Sequence, residues 1–256
     1  MYRYIYIFGT MLSMRSLMIN VGSFIGLLTT AVLLAKVYWK EKSGKERLLY
    51  IALPVSLQLV IIMTAGPFLG SMIRNLTYPL TGNFREDAVR IIYGGGNHFI
   101  GTMIVSFLIL PVLYRKLYKD DAATVLNIIA FYFVIQHFFS RIGCFFEGCC
   151  YGIPMHGGLA VKFPDDVLTY KVFPSQLFEA ACMLFLMAVL IILYRKGKDI
   201  FYVCMAGFGI VIIISEIFMD KSGTVMYLNL SVIQIAAILL LTSTTICCLH
   251  RRRIQG

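Results

Sequence analysis

Ser140-Arg-Ile-Gly-Cys-Phe-Phe-Glu-Gly-Cys-Cys-Tyr-Gly152 interrupts a chain that is apolar on both sides of it. It follows an apolar run at 123–139 and precedes another at 175–194. An arginine, a glutamate and three cysteines therefore stand where a hydrophobic segment ends. Long apolar runs say only that a chain lives in a membrane. This polar island says that chemistry is held at the membrane's edge.

Outward from it, further apolar runs fall near 16–36, 48–73, 94–114, 200–218 and 229–249. A helix needs about 20 such residues to cross a hydrocarbon core of about 30 Å. Charged residues are 14% of the 256, where soluble domains carry about 25%, and the mean hydropathy is +0.80. The expected fold class is an all-α integral membrane protein of about seven transmembrane helices. It forms one domain over 1–256, with no polar stretch long enough for a soluble one. The segment Met1–Met18 carries Arg3 and Arg15 and lacks a small-residue cleavage site, so the first span is expected to stay as an anchor.

A net charge of +10 raises the question of nucleic acid, but the distribution of charge answers it. Lys36–Arg47, Arg115–Asp121, Arg195–Asp199 and the tail His250–Arg253 hold 14 of the 23 Lys and Arg residues, and they fall between alternate spans. The positive-inside rule puts them in the cytoplasm, the N-terminus outside and the C-terminus inside. No nucleic acid is expected. Tyr38, Trp39, Tyr114, Tyr118 and Tyr194 sit at span ends, where amphipathic rings favour the interface. The two longer loops, 76–93 and 140–174, then lie on the outer face. The second is expected to be re-entrant or interfacial, since irregular backbone at membrane depth must line a cavity. Gly22-x-x-x-Gly26 allows close helix contact, although a single such motif is weak evidence.

Arg141 leads the candidates. Its guanidinium fork suits a phosphate, and a phospholipid headgroup is the phosphate at hand; a snorkelling interface arginine is the plainer alternative. Gly143, Gly148 and Gly152 let the backbone bend or approach a ligand, or simply turn. Gln176 and Glu179 of Phe173-Pro-Ser-Gln-Leu-Phe-Glu179 enter an apolar span, as does Glu216. Intramembrane carboxylates are functional candidates or partners of an arginine. His98, in Tyr93-Gly-Gly-Gly-Asn-His98, has the chemistry of a general base and equally that of a structural histidine. Cys144, Cys149, Cys150 and His156 give C-x4-C-C-x5-H. That spacing departs from the paired cysteines of structural zinc sites. A disulfide or simple packing is open to them too, and no metal or cofactor is expected. Arg141, Glu147, His98, Gln176, Glu179 and Glu216 all map to the same face, as scattered polar residues would not.

These residues resemble the prolipoprotein diacylglyceryl transferase family of bacterial seven-span enzymes. The family hallmark Gly-Arg-x-Gly-Asn-Phe-x-Asn-x-Glu-x-x-Gly is matched in length by Ser140–Gly152, with Arg141, Gly143, Phe145 and Gly152 in register. Tyr151-Gly-Ile-Pro154, Val161-Lys-Phe-Pro164 and Phe173-Pro-Ser-Gln-Leu-Phe-Glu179 are similar to further family motifs. Gly207-Phe-Gly209, Glu216 and Ser231-Val-Ile-Gln234 match weaker ones. The chain departs from the pattern at Ser140, Cys144, Glu147 and Cys149, and Ile212 stands where the family has an arginine. The family histidine aligns with Tyr93 by its glycines and with His98 by chemistry.

The resemblance implies transfer of diacylglyceryl from phosphatidylglycerol to a lipobox cysteine of a prolipoprotein, at the outer face of a bacterial cytoplasmic membrane. It implies catalytic roles for Arg141 and for a base among His98, Glu147 and Tyr93. Gly143, Gly152, Gln176, Glu179, Glu216 and Gln234 would bind or orient substrate with Arg141. Two alternatives stay open: a divergent paralogue moving another lipid-derived group, and a non-enzymatic lipid- or metal-binding membrane protein. Nothing in the sequence fixes the oligomeric state.

Overall fold

A computed structural model describes residues 4–7, 10–75, 83, 86, 98–164, 167–222 and 226–255. A two-stranded hairpin, β1 (Tyr4–Ile7) and β2 (Thr10–Ser13), leads into helix α1 (Met14–Tyr38). Ser13 starts that helix, its Oγ accepting from the Ser16 N–H at 3.1 Å. There follow α2 (Gly44–Arg47), α3 (Leu53–Met63), α4 (Ala65–Asn75), α5 (His98–Tyr118), α6 (Ala122–Glu147), α7 (Ser175–Arg195), α8 (Phe201–Phe218) and α9 (Val232–Gln255). The short pairs β3–β4 (Val161–Lys162, Lys171–Val172) and β5–β6 (Met226–Tyr227, Leu230–Ser231) lie in the connections that follow α6 and α8. The described residues are mostly helical, with three small antiparallel pairs that hydrophobic periodicity does not signal.

Among the described residues, five helical stretches are long and apolar enough to cross a membrane: Met14–Tyr38, Gly44–Met72, Gly101–Glu147, Ser175–Arg195 and Phe201–Phe218. Gly101–Glu147 has 47 residues, about 70 Å if straight and more than twice a hydrocarbon core. It is broken by a 3₁₀ turn at Lys119–Asp121, with Lys119 at φ +48°. Two of the expected apolar runs, 94–114 and 123–139, meet there. Gly44–Met72 is also broken: a π-helical stretch at Leu48–Ala52 precedes Pro54, and Thr64 leaves helical geometry between α3 and α4. Large side chains such as Phe24, Leu108, Phe185 and Leu239 face outward, an exposure that suits lipid and not water.

α6 is the axis of the bundle, with Val125–Val134 buried on every side. α1 lies antiparallel against it along a seam of glycines. A Cβ on Gly143 would come within 2.9 Å of Arg15 Cα, one on Gly22 within 2.7 Å of Phe139 Cβ, and one on Gly26 within 2.7 Å of the Tyr132 ring. Rising numbers on α1 meet falling numbers on α6. The buried α1 positions Gly22, Gly26, Thr30, Leu34 and Tyr38 recur every fourth residue, the spacing of one helix face. The glycine pair that is weak evidence alone is thus part of a real contact.

At one end of the bundle, three of the four basic segments meet. Lys42 pairs with Asp121 at 3.4 Å, and the Tyr118 hydroxyl donates to the Leu49 carbonyl at 2.8 Å. Asn127 Nδ2 donates to Asp199 at 3.2 Å, while its Oδ1 accepts from the Ile200 and Phe201 N–H groups at 2.9 and 3.0 Å. A side chain of α6 therefore satisfies the orphan donors that open α8. The described candidates Arg141, Gly143, Glu147, Gly152, Gln176, Glu179, Glu216 and Gln234 collect at the opposite end.

Candidate functional site

The polar island is not a loop from its first residue. Ser140–Glu147 forms the last two turns of α6, so the expected loop at 140–174 begins only at Gly148. Gly143 causes the difference. A glycine there reads as a turn, but in the structure it is where α1 presses on a continuing helix. Gly148 is the glycine that turns the chain. At φ +77° it ends α6, its N–H donating to the Cys144 and Phe145 carbonyls at 3.0 and 3.3 Å, while the Cys149 N–H donates to the Cys144 carbonyl at 3.1 Å. This is the bonding of a glycine-terminated Schellman cap, and it folds Cys149 back over Cys144.

Cys150 follows at φ +56°, an uncommon conformation for a residue with a side chain. The first turn of α7 locks this backbone. Ser175 Oγ donates to the Cys150 carbonyl and Gln176 Nε2 to the Cys149 carbonyl, both at 2.7 Å. Farther out, Phe163, Leu168 and Val172 form a small apolar core under the loop, with Phe145 and Tyr151 packed against it. Gly152 is pinned where a Cβ would come within 2.6 Å of the Phe218 carbonyl and 2.7 Å of that of Phe173.

Arg141 lies in the second-last turn of α6. Its Nε contacts Glu179 Oε1 at 2.8 Å and donates to His137 Nε2 at 3.3 Å, and His137 Nε2 in turn meets Glu179 Oε1 at 2.5 Å. Glu179 and His137 are fully buried, so the ion pair works in a medium that strengthens it and penalises loss of either partner. Among the described residues the Arg141 Nη atoms donate to no protein group, which leaves the outer edge of the fork for a ligand. His137 went unnoticed in the sequence, yet it stands four residues before Arg141, one helical turn away on the same face. That spacing was the available signal.

A second polar knot lies close by. Ser231 Oγ donates to Glu216 Oε2 at 2.7 Å, and Gln234 Oε1 accepts from the Ser231 N–H at 3.0 Å. Arg141 and Glu179 both act electrostatically on Glu216. Gln176 and Gln234 thus serve first as fasteners of backbone. Ile212 packs in an apolar cluster with Ala237. Arg15, seen in the sequence only as a break in a leader, stands beside Gly143. Its Nε is buried without a partner among the described residues, and its charge acts on Cys144, Cys149, Cys150 and Glu147. Tyr93 and the side chain of His98 lie outside the described residues; the backbone of His98 begins α5.

The three thiol sulfurs of Cys144, Cys149 and Cys150 lie within 4.8 Å of one another. Glu147 Oε2 accepts from Cys149 Sγ at 3.9 Å. Hydrogen bonds from the Cys144 and Cys149 thiols, with the Arg141 and Arg15 charges, hold the Cys150 thiol well below the ordinary range. The site therefore offers a buried, anchored guanidinium, a second cation beside it, and a cluster of thiols.

The family described as prolipoprotein diacylglyceryl transferase matches residues 5–250. Among curated proteins, the chain is similar to a phosphatidylglycerol–prolipoprotein diacylglyceryl transferase of Clostridium tetani (strain Massachusetts / E88). It is 25% identical over 198 residues, which cover 74% of this chain and 76% of the relative. It is also similar to one of Rickettsia bellii (strain OSU 85-389), 36% identical over 88 residues, 34% of this chain and 33% of that relative. The family match spans the anchored arginine, the capped loop and both polar knots, and the chain belongs to the prolipoprotein diacylglyceryl transferase family.

Proposed function

We propose that this protein transfers diacylglyceryl from phosphatidylglycerol to the thiol of a lipobox cysteine in a prolipoprotein. The observation that carries this reading is the Arg141–Glu179–His137 cluster, a guanidinium anchored through Nε whose Nη atoms have no protein partner among the described residues. The acceptor sulfur, as thiolate, attacks the glyceryl carbon bonded to phosphate oxygen. A C–S bond forms, the C–O bond breaks, and glycerol phosphate leaves with the electron pair. Arg141 holds the phosphodiester and stabilises the charge that gathers on the departing phosphate. Glu179 and His137 are positioning residues that keep the guanidinium in place, and Arg15 brings a second positive charge to the same end of the bundle. The acceptor proton goes to a base drawn from His98, Glu147 and Tyr93, since thiolate is the reactive form. Gly143 and Gly152 shape the site by close packing, and Gln176, Glu216 and Gln234 hold its walls.

The same reading places seven crossings in a bacterial cytoplasmic membrane, with the basic end inside and the site toward the outer face. Supporting it are the break within Gly101–Glu147 and the meeting of the 36–47, 115–121 and 195–199 segments at one end. Lipid with its headgroup at the outer leaflet then reaches Arg141 from the side.

The test is incubation of purified protein with phosphatidylglycerol labelled in its acyl chains and a lipobox peptide with or without its cysteine. Label is expected on the cysteine peptide, with release of glycerol phosphate. Intact lipid and an unlabelled peptide would sink the proposal.

A further inference from the structure

We infer that Cys144, Cys149 and Cys150 form a three-thiol site for a thiophilic d10 cation such as zinc(II). The spacing C-x4-C-C argues against such a site when laid out in sequence, because usual zinc sites bring their cysteines in pairs. The fold supplies what the spacing lacks. The Schellman cap at Gly148 returns Cys149 over Cys144, and the left-handed turn at Cys150 aims a third thiol at the same point. The three sulfurs lie within 4.8 Å of one another. Tetrahedral zinc with bonds of about 2.3 Å needs sulfurs about 3.8 Å apart, so each thiol has to move by less than about 1 Å.

Two further features mark a built site. The Cys149 and Cys150 carbonyls are held by Gln176 and Ser175, so the ligand loop is fixed before anything binds. Three cysteine ligands leave the fourth tetrahedral position of a zinc ion to water. The cluster runs from the buried Cys144 to the exposed Cys150, which gives an ion a way in. Charge also fits. Three thiolates carry three negative charges, zinc neutralises two, and the Arg15 and Arg141 charges act on the remainder. Nothing in the transfer step requires this ion, so the site stands or falls separately from the activity.

Purified full-length protein, kept reduced in detergent, is titrated with cadmium(II) as the probe and zinc(II) as competitor. One cadmium per chain is expected, read as thiolate-to-metal charge-transfer absorption that zinc removes. Cys149→Ser and Cys150→Ser each lose the band, while Cys182→Ser, outside the cluster, keeps it. Circular dichroism and gel filtration on each variant separate a lost ligand from a lost fold; if a serine variant misfolds, zinc protection of the three wild-type thiols from alkylation decides instead. No band in the reduced wild type, no protection, or a band that survives both cluster variants overturns the site. So does a disulfide among these cysteines as the main form recovered from cells.

Discussion

At the scale of the residue, Arg141 and Glu179 divide one job. The carboxylate holds the guanidinium at Nε, and among the described residues no protein group takes the Nη atoms. Arg141→Lys keeps the charge but loses the planar fork. Transfer is expected to fall roughly 10²–10³-fold, as when one donor to developing charge is removed, and initial rates with labelled lipid measure it. Glu179→Gln leaves a buried guanidinium without its counter-charge, a change that costs about 3–5 kcal/mol. Both the thermal midpoint and the activity are expected to drop, whereas Arg141→Lys should leave the midpoint close to wild type. Arg141, Glu179 and Glu216 were legible in the sequence because a charge in an apolar run stands out. His137 and Arg15 were not: a histidine inside a span and an arginine near a terminus each have a plainer explanation. Only the helical phase that aligns His137 with Arg141, and the packing of α1 on Gly143, bring them to the site.

At the scale of the element, the capped end of α6 and the glycine seam are the devices that make the site. Gly22→Val or Gly26→Val forces a side chain into the backbone of α6. Overpacking of this kind costs about 1–3 kcal/mol, so unfolding in detergent should shift to lower temperature. Gly158→Ala, whose added carbon meets nothing within 4 Å, is the neutral comparison. Gly148→Ala must hold φ +77° and press on Phe163 and Val167 at 3.2 Å. It is expected to cost about 1 kcal/mol and to loosen the thiols more than the fold, which faster alkylation of Cys149 would register. The apolar runs located the helices within a few residues, because hydropathy is a property of whole segments. The loop boundary at Ser140 was misplaced by eight residues, because a glycine between packed helices and a glycine in a turn look alike in sequence.

At the scale of the whole molecule, the two ends have opposite characters. One gathers Lys42, Asp121 and Asp199; the other gathers Arg15, Arg141, the buried acids Glu179 and Glu216, and the thiols. Reporter fusions after Gly197 are expected to be active only in the cytoplasm, and fusions after Gly157 only outside. The same compartment for both would invert or void the proposed topology. The alternation of basic segments made this polarity legible in sequence. The small strand pairs were not legible, since two-residue strands leave no periodicity.

The Asn127 amide extends this to communication along the molecule. It sits 14 residues before Arg141 on the same helix, about 21 Å away at 1.5 Å per residue. By holding the first N–H groups of α8, it sets the height at which that helix stands, and α8 carries Glu216 at its far end. The Asn127 side chain thus ties the basic end of the bundle to the helix that carries Glu216. Asn127→Leu, remote from any lipid headgroup, should lower turnover by letting α8 slip lengthwise. A second-site change that re-fastens the start of α8 should restore it.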